Sequence, residues 1–329
     1  MNVTAVTSWG VDCGISEYAG HLQDACRQQD LPVTFHMDSR ALDPQAFFHD
    51  ARPLPDLVWL NYHAGLHSRW TPELVQQVQA SVPVVITFHD TYDGEASPNS
   101  DRCKALFQIA DAFIVHEPVA DLDGAILLRQ GVPDLEGAYS RNWMDFGGWE
   151  RPVLGTVGFP FPWKNYDRLA ARTEEVGWGL ILIAPRATSA DIDRWRGLNP
   201  WTVVYPDFLS AAEVVGRLAG CTATAFMYEC HNTGTSGAIR QGIAARKPVY
   251  ALAGCRQFRD LLLADQIEEP KSLIRWVEDW NDFRVRLKTD PIVPWDPGII
   301  YLAERDSWRR QAQRYVEIFL SAVRRRDES

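Results

Sequence analysis

The feature that most constrains this chain is a twice-repeated alternation of short apolar runs with amphipathic stretches. Leu57–Tyr62, Val82–Phe88 and Ala112–Val115 are apolar through nearly every residue. Side chains alternate between the faces of a strand, so such runs belong to a sheet covered on both faces. Between them, Ile15, Tyr18, Ala19, Leu22 and Ala25–Cys26 recur at helical spacing over Ile15–Gln29. Thr71-Pro72 offers an N-cap and a proline at the first helical position. Val3–Trp9 opens the series as a strand. The rhythm breaks over Gly131–Glu150 and then resumes. The second series predicts strands at Val153–Val157, Leu180–Ile183, Thr202–Tyr205, Thr222–Met227 and Val249–Leu252. Its helices are predicted at Tyr166–Val176, Ala190–Arg196, Ala211–Leu218, Ser236–Ala245 and Phe258–Leu263. Alternating β and α implies a mostly parallel sheet wound on both faces, and two series imply two such α/β domains. The expected domains are 1–150 and 151–302. An Arg-rich helical pattern from Arg305 to Arg325 ends the chain, and residues 303–325 are expected to pack back onto the first domain.

Size agrees with two domains: 329 residues, against about 150 per domain. No apolar run approaches the roughly 18 residues of a membrane span, so no stable membrane insertion is expected. The N-terminal residues lack the basic and apolar regions of a signal peptide. The six cysteines (Cys13, Cys26, Cys103, Cys221, Cys230, Cys255) form no Cys-x-x-Cys pair, as expected of a cytoplasmic protein. Net charge is −10 but uneven: residues 1–150 carry 8 basic against 21 acidic side chains, and residues 151–329 carry 25 against 22. The second half is therefore the expected home of an anionic ligand, and the first repels duplexes and anionic bilayers.

Four segments can carry chemistry. His231-Asn232-Thr233-Gly234-Thr235-Ser236-Gly237 follows a strand and opens a helix, where free amides and close-approach glycines suit a diphosphate. An ordinary turn with a serine N-cap has the same spacing. Gly155 to Tyr166 also follows a strand, and its Lys164 is the one lysine between Lys104 and Lys247. A lysine there meets a phosphate as a point charge, or is simply solvated. Asp12-Cys13-Gly14-Ile15-Ser16-Glu17-Tyr18 joins the first strand to the first helix without a G-x-G-x-x-G fingerprint. Thr87-Phe88-His89-Asp90-Thr91-Tyr92 leaves a buried strand, so His89 either faces a ligand crevice or is a satisfied structural histidine. Two Asp-x-Asp triplets, at Asp121 and Asp191, are read as helix-start capping charges, and no metal is expected.

In order and spacing these segments resemble the retaining glycosyltransferases of family four. The resemblance rests on Gly14-Ile15-Ser16-Glu17-Tyr18, the strand ending in His89-Asp90, and the Gly158…Lys164 turn. It continues through Leu209-Ser210-Ala211-Ala212-Glu213, the strand to Tyr228, and Gly234 through Pro248-Val249. It implies the GT-B fold, two Rossmann-like domains with an interdomain cleft, and a metal-independent, hexosyltransferase-like enzyme. Its co-substrate would be a UDP- or GDP-type nucleotide-sugar donor, with no cofactor. The loop at Gly14 and Ile15 would approach the donor phosphates. His89 and Asp90 would lie beside the transferred sugar. Lys164 and the amides around Thr235, Ser236 and Gly237 would hold the diphosphate. The family's arginine after the Gly158 turn is Phe159 here, for which Arg240 or Arg186 can substitute. Its two glutamates fall on Thr233 and Gln241, with Glu229 a substitute for the first. A saccharide, a lipid-linked glycan, a small metabolite or a hydroxymethylated DNA base remains open as acceptor. A nucleotide-sugar epimerase or phosphorylase of the same architecture, and a non-catalytic nucleotide-sugar-binding protein, are the alternatives.

Overall fold

The computed structural model describes residues 1–50, 54–90, 98–119, 122–134, 150–229, 235–267 and 273–328, apart from the side chains of 48–50 and 98–99. Two compact units result. The first holds Met1–Gly131 and Trp308–Ser329, and the second Val132–Asn232 and Ser236–Ser307.

The first unit runs β1 (Asn2–Val6), α1 (Gly14–Gln28), β2 (Thr34–Met37), α2 (Pro44–Asp50), β3 (Leu57–Tyr62), α3 (Pro72–Gln79), β4 (Val84–Phe88), α4 (Pro98–Ile109), β5 (Ala112–Val115) and β6 (Ile126–Leu127). Its strands pair in parallel in the order β2-β1-β3-β4-β5-β6. The unbroken apolar runs split by parity. Val3, Ala5, Leu57, Trp59, Val85, Ala112 and Ile114 pack under α1 and the last helix. Val6, Val58, Leu60, Tyr62, Val84, Ile86, Phe88, Phe113 and Val115 pack under α3 and α4. Each fully buried aliphatic or aromatic side chain contributes about 1.5–3 kcal/mol, so both faces must be covered.

The second unit runs β7 (Val153–Val157), α5 (Tyr166–Glu175), β8 (Gly179–Ile183), α6 (Ser189–Leu198), β9 (Thr202–Tyr205), α7 (Ala211–Ala219), β10 (Ala223–Phe226), α8 (Gly237–Ala244), β11 (Val249–Leu252), α9 (Arg259–Ile267), β12 (Arg275–Val277), α10 (Trp280–Thr289) and α11 (Pro297–Arg305). Its order is β12-β11-β10-β7-β8-β9, again with parallel pairing. Val214, Leu218, Ile239, Ile243 and Ile299 cover one face, and Leu169, Trp195, Phe283 and Leu287 the other. α8 lies close on β10 because residue 242 is glycine: a Cβ there would come within 2.4 Å of the Phe226 ring.

The helix expected from Arg305 begins three residues later, at Trp308, and is preceded by a further helix that was not expected. α11 ends at Arg305 and α12 (Trp308–Asp327) begins after Asp306-Ser307. There the Val132 amide donates to the Asp306 carbonyl at 2.8 Å, and Ser307 forms a bridge with Val132. These bonds draw two residues out of helical geometry. α12 then buries Trp308, Ala312, Tyr315, Val316, Phe319 and Ala322 in the core of the first unit. β2, β6 and β12 are too short or too exposed to register as apolar runs. Among the described residues no helix is long and apolar enough to cross a membrane.

Candidate functional site

Both sheets contain a point where the strand order reverses. In the first unit the chain leaves β1 toward β2 and later returns to β3 on the other side. In the second it leaves β7 toward β8 and β9, then returns to β10. Crossovers diverge at such switch points, opening a crevice at the carboxyl ends of the strands. The expected site segments fall on these two edges.

In the second unit the loop after β7 lies beside the loop after β10, because the two strands are neighbours. Gly158 has φ +136, a backbone conformation that favours glycine. A Cβ at Gly158 would come within 1.9 Å of Lys164 Nζ, so only glycine lets the ammonium fold over the turn. Lys164 is buried, 8% exposed, with Nζ 4.8 Å from the Tyr228 ring centroid. The turn is braced on both sides. Tyr166 Oη donates to the Gly158 carbonyl at 2.8 Å, and Tyr228 Oη to the Val157 carbonyl at 3.0 Å. The Glu229 amide donates to the Trp163 carbonyl at 2.8 Å.

Across the switch point α8 begins with Ser236 as N-cap, whose own side chain makes no capping bond. The first amides of a helix have no partner within it and can meet an anion. Ser236 and Gln241 are buried, and Thr235 is half-buried. Thr233 and Gly234 lie outside the described residues.

Of the two arginines considered for Phe159, Arg240 is buried in an ion pair with Asp260 and is committed there. Arg186 instead sits at the carboxyl end of β8 with φ 69. Its guanidinium is 5.3 Å from the Phe159 ring centroid. The cation that position 159 lacks is thus presented beside it by the next strand. Glu229 points elsewhere: Oε1 accepts from Arg168 at 2.9 Å and from Trp280 Nε1 at 2.6 Å.

In the first unit, α1 starts at Gly14 with Cys13 as N-cap, its Sγ accepting from the Ser16 amide at 3.4 Å. A Cβ at Gly14 would meet nothing within 4 Å, so the space beside this turn is open. Asn61 reaches over from β3 and donates to Thr7 Oγ1 at 3.0 Å and to the Ile15 carbonyl at 3.2 Å. His67 ties the turn after β3 to β1 through Nε2 and the Val6 carbonyl, 3.1 Å. Asp90 accepts from the Ala64 amide at 2.6 Å and lies 3.6 Å from His63 Nε2.

His89 ends β4 as expected, at the carboxyl edge. It is 7% exposed, however, and both ring nitrogens are engaged: Nε2 with Asn61 Oδ1 at 2.5 Å, Nδ1 with His116 Nε2 at 3.2 Å. Burial, with His116, His63 and His67 nearby, holds its pKa well below the ordinary histidine value. Glu17, in the first turn of α1, is pushed up to about 6 by burial and by Asp12, the kind of perturbation that gathers at working sites.

Asn61, His63, His67, His116 and Glu17 are the residues of this edge that motif reading passed over. Signals existed. Asn61 is a polar residue inside a fully buried strand, and His116 follows β5 just as His89 follows β4. Trp59, Tyr62 and Trp70 are core residues. Asp191 caps α6 through a reciprocal bond with Thr188, as expected. Asp123 corrects the other triplet: it sits in a turn leading into β6, not at a helix start, and Asp121 lies outside the described residues.

No protein-family model matches the sequence, and no curated protein matches it. Solved structures do match in fold. HepE of Anabaena, in complex with UDP and glucose, superposes with a TM-score of 0.68 at 13% identity, over 98% of this chain and 100% of that one. AviGT4, a glycosyltransferase involved in avilamycin A biosynthesis, gives 0.59 at 14% identity over 98% and 97%. A UDP-forming α,α-trehalose-phosphate synthase of Burkholderia xenovorans, in complex with glucose-6-phosphate, gives 0.61 at 11% over 96% and 99%. At such identities the likeness is one of fold, and its content is the pair of switch-point sheets described above. The chain has the GT-B glycosyltransferase fold, built from two Rossmann-like units with six parallel strands each.

Proposed function

We propose that the chain transfers a sugar from a nucleoside-diphosphate donor, of the UDP type, to an acceptor hydroxyl. The observation that carries this reading is Lys164. It is a buried ammonium held over a glycine turn, at the switch point beside the N-terminus of α8. That arrangement suits a diphosphate leaving group, whose negative charge grows as the glycosidic bond breaks. Lys164, Arg186 and the amides of Ser236 and Gly237 would neutralise it, and Gln241 would bond the ribose. The UDP found with HepE, a protein of the same fold, supports this choice of donor.

The acceptor oxygen would attack the anomeric carbon as the bond from that carbon to the diphosphate oxygen breaks, its electron pair leaving with the diphosphate. The acceptor proton would pass to the departing oxygen on the same face, with retention of configuration. His89 has no unused ring nitrogen, so its part would be to steady the Gly14–Ile15 turn through Asn61. Replacement of His89 by alanine is then expected to lower turnover at least about tenfold, roughly 1.4 kcal/mol. Binding of UDP should barely change. A variant with a lowered melting temperature and unaltered turnover per folded molecule would remove His89 from this role.

The deciding experiment is a donor-by-acceptor screen read by mass spectrometry, with hydroxymethylated DNA among the acceptors. A transferase releases UDP in step with acceptor consumption. Donor interconversion without acceptor would establish an epimerase, and neither activity would leave a binding protein. Transfer is expected to persist in excess EDTA, since protein cations would neutralise the diphosphate. Activity lost with chelator and restored by Mg²⁺ or Mn²⁺ would overturn metal independence.

A further inference from the structure

Three contacts in a row cross the carboxyl edge of the first sheet. Asn61 Oδ1 meets His89 Nε2 at 2.5 Å, His89 Nδ1 meets His116 Nε2 at 3.2 Å, and His116 Nδ1 meets the Leu128 carbonyl at 2.7 Å. The two ends of this row determine how many protons it needs. Leu128 O is a carbonyl oxygen and cannot donate. Asn61 has its amide nitrogen toward the Ile15 carbonyl, at 3.2 Å, where only an N–H is compatible. Reversing the amide would press Oδ1 against that carbonyl, so Oδ1 faces His89. Both ends therefore accept, and every contact must draw its hydrogen from an imidazole. Two neutral imidazoles carry one N–H each. Three contacts need three.

We propose that the His89–His116 pair carries one proton beyond neutrality, held between His89 Nδ1 and His116 Nε2. This proton completes the row that positions the Gly14–Ile15 turn. His116 is a positioning residue acting through His89 and Asn61. The pair has a carbonyl at His116 Nδ1, and the Tyr18 ring lies 4.5 Å from His89 and 5.5 Å from His116, centroid to centroid, both favourable to a cation. Both rings are buried, His89 7% and His116 4% exposed, so the proton is shared between them, with His89 donating from Nε2 and His116 from Nδ1. Among the described residues, the charged and titratable groups around the pair include His63 with Asp90, His67 from the turn after β3, and Glu117 next in the chain. Tyr18 of α1, bonded to Tyr315 of α12 at 2.6 Å, is another.

The direction of the pH response follows. With the proton bound, all three contacts are made. As pH rises through the pair's pKa the proton leaves to solvent, one contact loses its hydrogen, and the Asn61 hold on Ile15 loosens. The reading is independent of transferase activity, because its readouts are spectroscopic and thermal. In the chain labelled with ¹⁵N-histidine, the two rings are expected to show three protonated nitrogens between them at pH 6: His89 Nε2, His116 Nδ1 and one shared position, with assignments from His89→Gln and His116→Gln. Neutral signals for both rings down to pH 5 would overturn the proposal. A second measurement compares two variants of similar size. His116→Gln offers His89 Nδ1 an uncharged N–H, so its melting temperature should lose the pH dependence of the parent. His116→Phe offers none and should melt several degrees lower at every pH. Equal melting curves for the two variants would also overturn it.

Discussion

Replacing Lys164 with methionine is expected to weaken UDP binding by roughly 10- to 100-fold while leaving uridine binding nearly unchanged. Methionine keeps most of the buried stem and removes only the ammonium. One charge-assisted contact to a phosphate is worth about 1.5–3 kcal/mol. Uridine presents no phosphate, so it reports on any general damage to the second unit. The lysine is well placed for such a role because Gly158 admits it where any side chain would exclude it. Titration calorimetry of both ligands on the parent and the variant decides the matter. Equal loss for UDP and uridine would mean that Lys164 does not meet the diphosphate. A Gly158→Ala variant should reproduce the phosphate-specific loss, since a Cβ there displaces Nζ.

The largest effect on stability is expected from Asp260→Ala, at about 3–5 kcal/mol. Arg240 and Asp260 pair inside the second unit with side chains 2% and 1% exposed. Among the described residues Arg240 Nε and Nη1 find no further partner, and Asp260 is the counter-charge that guanidinium meets. Truncating the aspartate strands a buried cation, whereas removing both charges does not. The double variant Arg240→Met/Asp260→Leu should therefore recover most of the lost stability, as buried ion pairs often exchange for packed apolar groups at little cost. Urea unfolding of the single and double variants measures both effects. A single variant within about 1 kcal/mol of the parent would show that the pair is relaxed by solvent, contrary to its burial. The same pair holds Arg240, one helical turn into α8, away from the proposed phosphate-binding role.

Much of the architecture was legible from local patterns. β3, β5, β7, β9 and β11 lie where the apolar runs predicted them, residue for residue, because the mostly apolar runs end where polar or turn residues begin. α7 also lies where its Ser210 N-cap and Glu213 placed it, and both sides of that capping box form. The α11–α12 break was not legible. Nothing in Asp306-Ser307 forbids a helix, and the interruption comes from bonds to Val132, which is remote in sequence.

The site divides in the same way. The positions of Lys164, Ser236 and Gly237 beside strand-to-helix turns were readable because turn and capping patterns are local. His89 was placed correctly at the end of its strand, yet its two ring partners, Asn61 and His116, come from β3 and from just past β5. Arg186 reaches Phe159 only because β8 lies next to β7. By itself the sequence determined which segments are strands, which turns carry glycine, hydroxyl or cation, and that two parallel sheets result. It did so because periodicity and capping act between residues within a turn or two of each other. The tertiary structure alone decided which strand ends meet. A parallel sheet gathers the carboxyl ends of strands dozens of residues apart onto one edge. There the order of strands, which no single strand encodes, settles whether a buried imidazole finds a donor, an acceptor or another imidazole.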